Sequence, residues 1–307
     1  MKLVFMGTPD FAVASLRRLA EDGHEIIGVF TQPDKPGNRK KLTVPPVKDF
    51  ALSIGLRVFQ PASLRDPAAL ALLRDLRPEL TVVAAYGQIL PESVLNVPAL
   101  GSVNVHGSLL PKYRGAAPIN RAILNGERET GVTIMHMAKK LDAGDIISAR
   151  STPIDPDEDA EQLFARLAVI GADLLCETIP AIADGTATRI PQNDADATYA
   201  AMLSREMSPI DWGGSAEEIV NQIRALVPWP CATMTLDGGR AKVWHALRGG
   251  ETEDVPGTRR AAKQGIACAC GDGKSVVVTE VQYEGGKRMT ASAWLNGRRV
   301  VPGTVLA

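Results

Sequence analysis

Asn104 and His106 stand two residues apart in the run Ser102-Val-Asn-Val-His106, and Gly107 follows. In an extended chain, residues i and i+2 project from one side. A carboxamide and an imidazole therefore share a face at the end of a strand. That pair suits acyl chemistry: the amide N–H donates to an oxygen gaining negative charge, and the imidazole handles a proton. A lone histidine at a strand end is more often structural, and the neighbouring asparagine is what raises the functional reading. The turn Leu141-Asp-Ala-Gly-Asp145 is a second candidate. A carboxylate there could face His106 from a neighbouring strand end and orient its ring. A plain turn aspartate is the competing reading. The loop Gly7-Thr-Pro-Asp-Phe-Ala12 sits where a dinucleotide fingerprint would. It lacks the G-x-G-x-x-G spacing, and Thr8, Pro9 and Phe11 would crowd a pyrophosphate, which argues against a nicotinamide-dependent dehydrogenase.

The elements needed to hold these residues alternate between strand and helix in the first half. Apolar runs at Lys2–Met6, Glu25–Phe30 and Leu80–Ala85 read as strands, as do Ser102–His106, Gly131–Met137 and Asp145–Ala149. Helical spacing marks Phe11–Leu19, a helix beginning at Val47–Leu52, and Asp159–Ala183. This is the pattern of a doubly wound, Rossmann-like α/β domain, whose ligands bind at the carboxyl ends of the strands. His106 lies at such an end.

The character changes after Gly185. Residues 1–189 are expected to form the catalytic domain, 190–205 a polar linker, and 206–307 a smaller β-domain. Ser215-Ala-Glu-Glu218 fits a capping box, and the helix it opens should stop at or before Val227, because Pro228 follows. Short strands then alternate with the glycine turns at 237–239, 271–273 and 284–286. The strands expected are Thr233–Leu236, Ala241–Ala246, Ile266–Cys270, Val276–Tyr283 and Met289–Trp294. Five of them suggest a small OB-like barrel.

Composition removes several classes. The chain has 307 residues, 45% apolar, and its 34 Lys+Arg against 35 Asp+Glu give a net charge of −1. That excludes a wholly basic nucleic-acid binder but leaves room for a local patch. Lys35, Arg39, Lys40, Lys41 and Lys48 form one, with no acid between positions 35 and 48. Cys176, Cys231, Cys268 and Cys270 include no C-x-x-C pair, so they are expected to be buried side chains rather than a disulfide framework or a zinc site. The N-terminus runs straight into a strand pattern without a charged segment and a long apolar stretch, and no apolar run reaches about 18 residues. A cytoplasmic protein with no membrane span is expected. Nothing in the sequence demands an oligomer, so a monomer is expected.

Asn-Val-His-Gly-Ser-Leu-Leu-Pro111, Tyr-Arg-Gly-Ala-Ala-Pro-Ile119 and Leu-Asp-Ala-Gly-Asp145 resemble the formyltransferases that use 10-formyltetrahydrofolate. The likeness extends to Gly-Thr-Pro-Asp-Phe-Ala12, Thr-Gln-Pro-Asp-Lys-Pro36, Ala-Ala-Tyr-Gly-Gln-Ile-Leu-Pro91 and Gly-Val-Thr-Ile-Met135. In the second half Ile-Asp-Trp212 and Val-Pro-Trp-Pro230 are similar to the branch of that family acting on charged tRNA. The resemblance covers nearly the whole chain.

It implies formyl transfer from 10-formyltetrahydrofolate, a co-substrate, to the α-amino group of methionyl-tRNA, with no metal. Its catalytic trio falls on Asn104, His106 and Asp142, with Asp145 the runner-up in the turn. Asn104 and His106 would donate to the oxyanion, and Asp142 would hold the histidine. Its folate-binding stretch falls on Ser108, Leu109, Leu110 and Pro111, with Ala84, Tyr86, Gly87 and Ile89 lining the pterin pocket. Arg39, Lys40 and Lys41 would approach the tRNA, and the C-terminal domain, with Arg240, Lys242, Arg298 and Arg299, would touch its backbone. Ala201 and Met202 stand where the family tends to carry a lysine. The alternative acceptor is a small amine such as an amino-sugar nucleotide.

Overall fold

The computed structural model describes residues 1–36 and 42–306. The chain divides into two compact units. One comprises Met1–Pro118, Thr130–Thr152 and Phe164–Ala200; the other comprises Ile119–Glu129, Pro153–Leu163 and Ala201–Ala307.

The first unit is built on a seven-stranded sheet. Its spatial order is Ile146–Pro153, Glu129–His136, Ser102–His106, Leu80–Ala84, Lys2–Gly7, Glu25–Phe30, Val58–Phe59. The five strands from Ser102–His106 to Val58–Phe59 pair in parallel, and Glu129–His136 runs antiparallel to Ser102–His106. Every residue of Leu80–Ala84 and Ser102–His106 is buried, as in a sheet covered on both faces. Alternation sorts the side chains into two layers. Val4, Met6 and Val83 pack with Ala69 and Leu73 of the helix Pro67–Leu76. On another side of the sheet, Gly171 of the helix Ala160–Ala183 lies so close to Val105 and Val132 that a Cβ would meet them at 2.8 and 3.2 Å. Each fully buried aliphatic or aromatic side chain contributes roughly 1.5–3 kcal/mol. The doubly wound, Rossmann-like reading is therefore what the chain adopts.

The second unit carries a curled antiparallel sheet, a half-barrel, in the order Ala232–Leu236, Gly239–Glu251, Lys274–Tyr283, Gly265–Ala269, Arg259–Ala262, Val305–Leu306. The helix Ala216–Ala225 packs Ile219, Val220 and Ile223 against Val243, Val276 and Val278. Both halves of the expected capping box are present: Ser215 Oγ accepts from the Glu218 amide, and Glu218 Oε2 accepts from the Ser215 amide. Such a cap contributes about 1 kcal/mol.

Several elements differ from those expected. Met289–Trp294 is not a strand: it pairs only at Met289–Thr290 and then becomes the helix Ala291–Asn296. Thr290 caps that helix by accepting from the Ala293 amide, and Ala291, Trp294 and Leu295 bury at helical spacing. The helix Pro67–Leu76 and the strand Arg259–Ala262 were not anticipated. Residues 190–200 belong to the first unit rather than standing apart, since Ile190 bridges Ile146 and Tyr199–Ala200 pairs with Arg114–Gly115. Hydrogen bonds, not an apolar pattern, hold this segment.

Among the described residues no helix is long and apolar enough to cross a membrane. All four cysteines are free and buried. Burial pushes the thiols of Cys176 and Cys270 up, to about 12 and about 11, and those of Cys231 and Cys268 up as well. The thiolate is the reactive form. At pH 8 a thiol reagent should therefore label at most one cysteine of the folded protein within minutes, and all four after denaturation. Rapid labelling of two or more in the folded state would contradict this packing.

Candidate active site

Asn104 and His106 project from one side of the strand Ser102–His106, flanked by Val83 on one neighbouring strand and by Met135 and Thr133 on the other. The imidazole is 5% exposed, and its Nε2 donates to the Tyr113 carbonyl at 2.9 Å. That bond leaves Nδ1 as the only ring nitrogen free to meet a substrate. Nδ1 faces Asp142 Oδ2 at 3.8 Å, an ion-pair separation too long for a hydrogen bond. The Asn104 carboxamide has no hydrogen-bond partner among the described residues, although the residue is 9% exposed. A nearly buried donor without a protein partner, beside an imidazole and a carboxylate, can serve an oxygen that arrives with a substrate.

The structure brings Asp142, not Asp145, to the histidine. Asp145 Oδ2 instead lies 3.7 Å from Arg189 Nη1. Asp142 Oδ2 accepts from the Gly115 amide at 2.9 Å, and its backbone is left-handed, at φ 47°. Gly144 makes that turn possible, because a Cβ there would lie 1.8 Å from the His136 carbonyl oxygen. Ala85 and Tyr113 are also left-handed, at φ 45° and 60°. Such non-glycine backbone costs roughly 1–3 kcal/mol per residue and collects at functional sites.

The formyl transferase family model matches residues 1–179, and the formyl transferase C-terminal domain model matches residues 202–299. The methionyl-tRNA formyltransferase of Lysinibacillus sphaericus is 49% identical over 298 residues, 96% of this chain and 95% of that one. That of Acetivibrio thermocellus is 46% identical over 310 residues, 100% of this chain and 99% of its own. The chain belongs to the methionyl-tRNA formyltransferase family. Among solved structures, an N-formyltransferase from Helicobacter canadensis, in complex with folinic acid and dTDP-3-aminofucose, shares the fold. It superposes with a TM-score of 0.70 at 21% identity, covering 91% of this chain and 98% of that one.

The positions that the resemblance assigned to folate fall on two segments at this end of the sheet. Ser108 is fully buried, and its Oγ donates to the Lys112 carbonyl. Thr133 ties the segment to the next strand: its Oγ1 donates to the Ser108 carbonyl and accepts from the Leu110 amide. Leu110 is buried, Leu109 and Pro111 are partly exposed, and the Leu110–Pro111 peptide is cis. Ala84 ends the strand beside Asn104. Tyr86 packs inward. Its ring is 2% exposed within the core, where burial pushes its hydroxyl up to about 12. Only its backbone is offered to a ligand, and the carbonyl already accepts from Thr8 Oγ1 and Gln32 Nε2. Gly87 is left-handed, at φ 83°, and Ile89 is 74% exposed.

Arg39, Lys40 and Lys41 lie outside the described residues. The chain on either side of them pairs, Lys35–Pro36 with Leu42–Thr43. Lys48 is not a free cation, because its Nζ binds Asp34 at 2.7 Å. Lys48 and Gln60, both bonded to Asp34, hold that carboxyl below the usual range. On the second unit, Arg298 binds Asp237 and lies 3.8 Å over the Trp294 ring, and Lys242 lies 5.8 Å from the Trp244 ring.

Sequence reasoning passed over Arg114, Thr133 and Gln192. Their types are common and their spacing has no period, so only the folded contacts reveal them. A Gly144→Ala substitution should destabilise the protein by about 1–3 kcal/mol, as overpacking does. Its urea midpoint should fall, and an unchanged midpoint would contradict the close approach to His136.

Proposed function

We propose that this chain transfers a formyl group from 10-formyltetrahydrofolate to the α-amino group of initiator methionyl-tRNA, through Asn104, His106 and Asp142. The unpartnered Asn104 carboxamide beside the His106–Asp142 pair is the observation that carries the mechanism. Similarity along both units to enzymes named for this acceptor supports the tRNA substrate.

The amine lone pair attacks the formyl carbon and a new C–N bond forms. The carbonyl electrons move onto the formyl oxygen, to which Asn104 donates. His106 takes the amine proton at Nδ1, since Nε2 is held by the Tyr113 carbonyl. The ring is then cationic, and the Asp142 carboxylate at 3.8 Å stabilises it. Collapse breaks the bond from the formyl carbon to the folate nitrogen, which receives the proton from His106. The products are the formylated amine and tetrahydrofolate, and no electron carrier or metal enters the balance.

Ser108, Leu109, Leu110 and Pro111 would form one wall of the folate pocket. The backbone of Ala84, Tyr86 and Gly87, with the Ile89 side chain, would form the other. Arg39, Lys40 and Lys41 would reach tRNA phosphates. With Lys48 neutralised by Asp34, four cations remain in that loop, which gives a log–log salt slope of about −3.

Asn104→Ala and His106→Ala should each lower kcat by roughly 10²–10³-fold, with the thermal midpoint nearly unchanged. Near-wild-type turnover in a folded His106→Ala protein would refute the mechanism. Charge reversal at Arg39, Lys40 and Lys41 should weaken tRNA binding while folate affinity holds. Unchanged tRNA affinity would remove the loop from the acceptor site.

A further inference from the structure

The Asp142 turn is gripped from a distant part of the chain. Gln192 Nε2 donates to the Asp142 carbonyl at 2.9 Å and to the Gly144 carbonyl at 2.7 Å. On its other side, Gln192 Oε1 accepts from Arg114 Nε at 3.0 Å and from Arg114 Nη2 at 2.8 Å. An amide has two donors and two acceptor sites, and here all four are used. The direction is fixed, because a guanidinium only donates and a carbonyl oxygen only accepts. Arg114 is fully buried, and its Nη1 binds Asp194 Oδ1 at 2.7 Å. Asp194 Oδ2 also binds Lys140, which stands in the same turn as Asp142. Two residues of the 190–200 segment thus hold the turn, one by its carbonyls and one by a side chain.

The Asp142 carboxylate faces His106 from a left-handed backbone. A non-glycine residue leaves that region readily unless its surroundings hold it. Released, the turn would swing the carboxylate away from Nδ1. The Gly115 amide is the other contact on that carboxylate, and Gly115 adjoins Arg114. The buried guanidinium therefore reaches Asp142 through Gln192 on the backbone, while the residue next to Arg114 in the chain contacts the carboxylate by its own amide.

We propose that Gln192, backed by Arg114, is a positioning residue for the formyl-transfer step, acting on Asp142 without touching substrate. The proposal rests on the catalytic reading of Asp142 given above. It assigns a share in turnover to the segment joining the two family domains.

The test is a double-mutant cycle in the full-length protein with Gln192→Leu and Asp142→Asn, measuring kcat and both KM values. A displacement of about 1 Å costs on the order of 10²-fold in rate. Gln192→Leu should therefore lower kcat by about that factor while KM for 10-formyltetrahydrofolate and for methionyl-tRNA stays within about threefold. In the Asp142→Asn background the same change should cost less than about threefold, because the group it positions is already gone. If the leucine variant fails to fold, Gln192→Glu replaces it. Glutamate keeps a partner for Arg114 but cannot donate to the two carbonyls, so a stable protein with low kcat is expected. Wild-type kcat in Gln192→Glu, or full additivity in the cycle, would overturn the positioning role while leaving Asp142 catalytic. Wild-type kcat in Asp142→Asn would instead overturn the catalytic reading, and this inference with it.

Discussion

A strand buried along its whole length can do chemistry only where it ends. Ser102–His106 is such a strand, closed in by Leu80–Ala84 and Glu129–His136. Alternation places Asn104 and His106 on one side and Val103 and Val105 on the other. The apolar pair anchors the strand, and the polar pair must then find partners or serve a ligand. His106 finds the Tyr113 carbonyl; Asn104 finds none among the described residues.

The groups around that strand end are held in place by ties between loops. The turn bearing Asp142 is left-handed and needs Gly144 against the His136 carbonyl. The segment from Ser108 to Pro111 is tied down by Thr133, one strand away. The Tyr86 carbonyl is held by Thr8 and Gln32 from two other loops. These ties are hydrogen bonds between loops, not apolar packing, so they can hold exposed backbone at defined angles. The apolar layers beneath, such as Val4, Met6, Val83 and Leu73, supply the stability that lets the loops be strained.

The strands and long helices of the first unit were legible because their apolar periods are clean; Ser102–His106 and Glu25–Phe30 keep their expected bounds. The pairing of Asn104 with His106 was legible because it is local, two residues on one strand. Asp142 could not be chosen over Asp145 from spacing, since the choice depends on a backbone dihedral and on contacts from Gly115 and Gln192. Backbone groups of the 84–90 segment were expected to read the pterin with Tyr86 packing nearby; the Tyr86 ring lies in the core, and its buried hydroxyl has no hydrogen-bond partner among the described residues. Met289–Trp294 alternates like a strand, but Thr290 supplies a helix cap that outweighs the alternation. The chain from Ile190 to Ala200 is polar and irregular, and its role is visible only through the partners it reaches.

The fold alone does not choose the acceptor, since an N-formyltransferase at 21% identity, in complex with folinic acid and dTDP-3-aminofucose, has the same architecture. The choice is decided most directly by one assay. Formyl transfer from 10-formyltetrahydrofolate should be measured with methionyl-tRNA, free methionine and a dTDP-linked amino sugar as competing acceptors. Rapid transfer to methionyl-tRNA, with the two small amines at background, is the expected result. Transfer to the amino sugar with none to methionyl-tRNA would contradict the account.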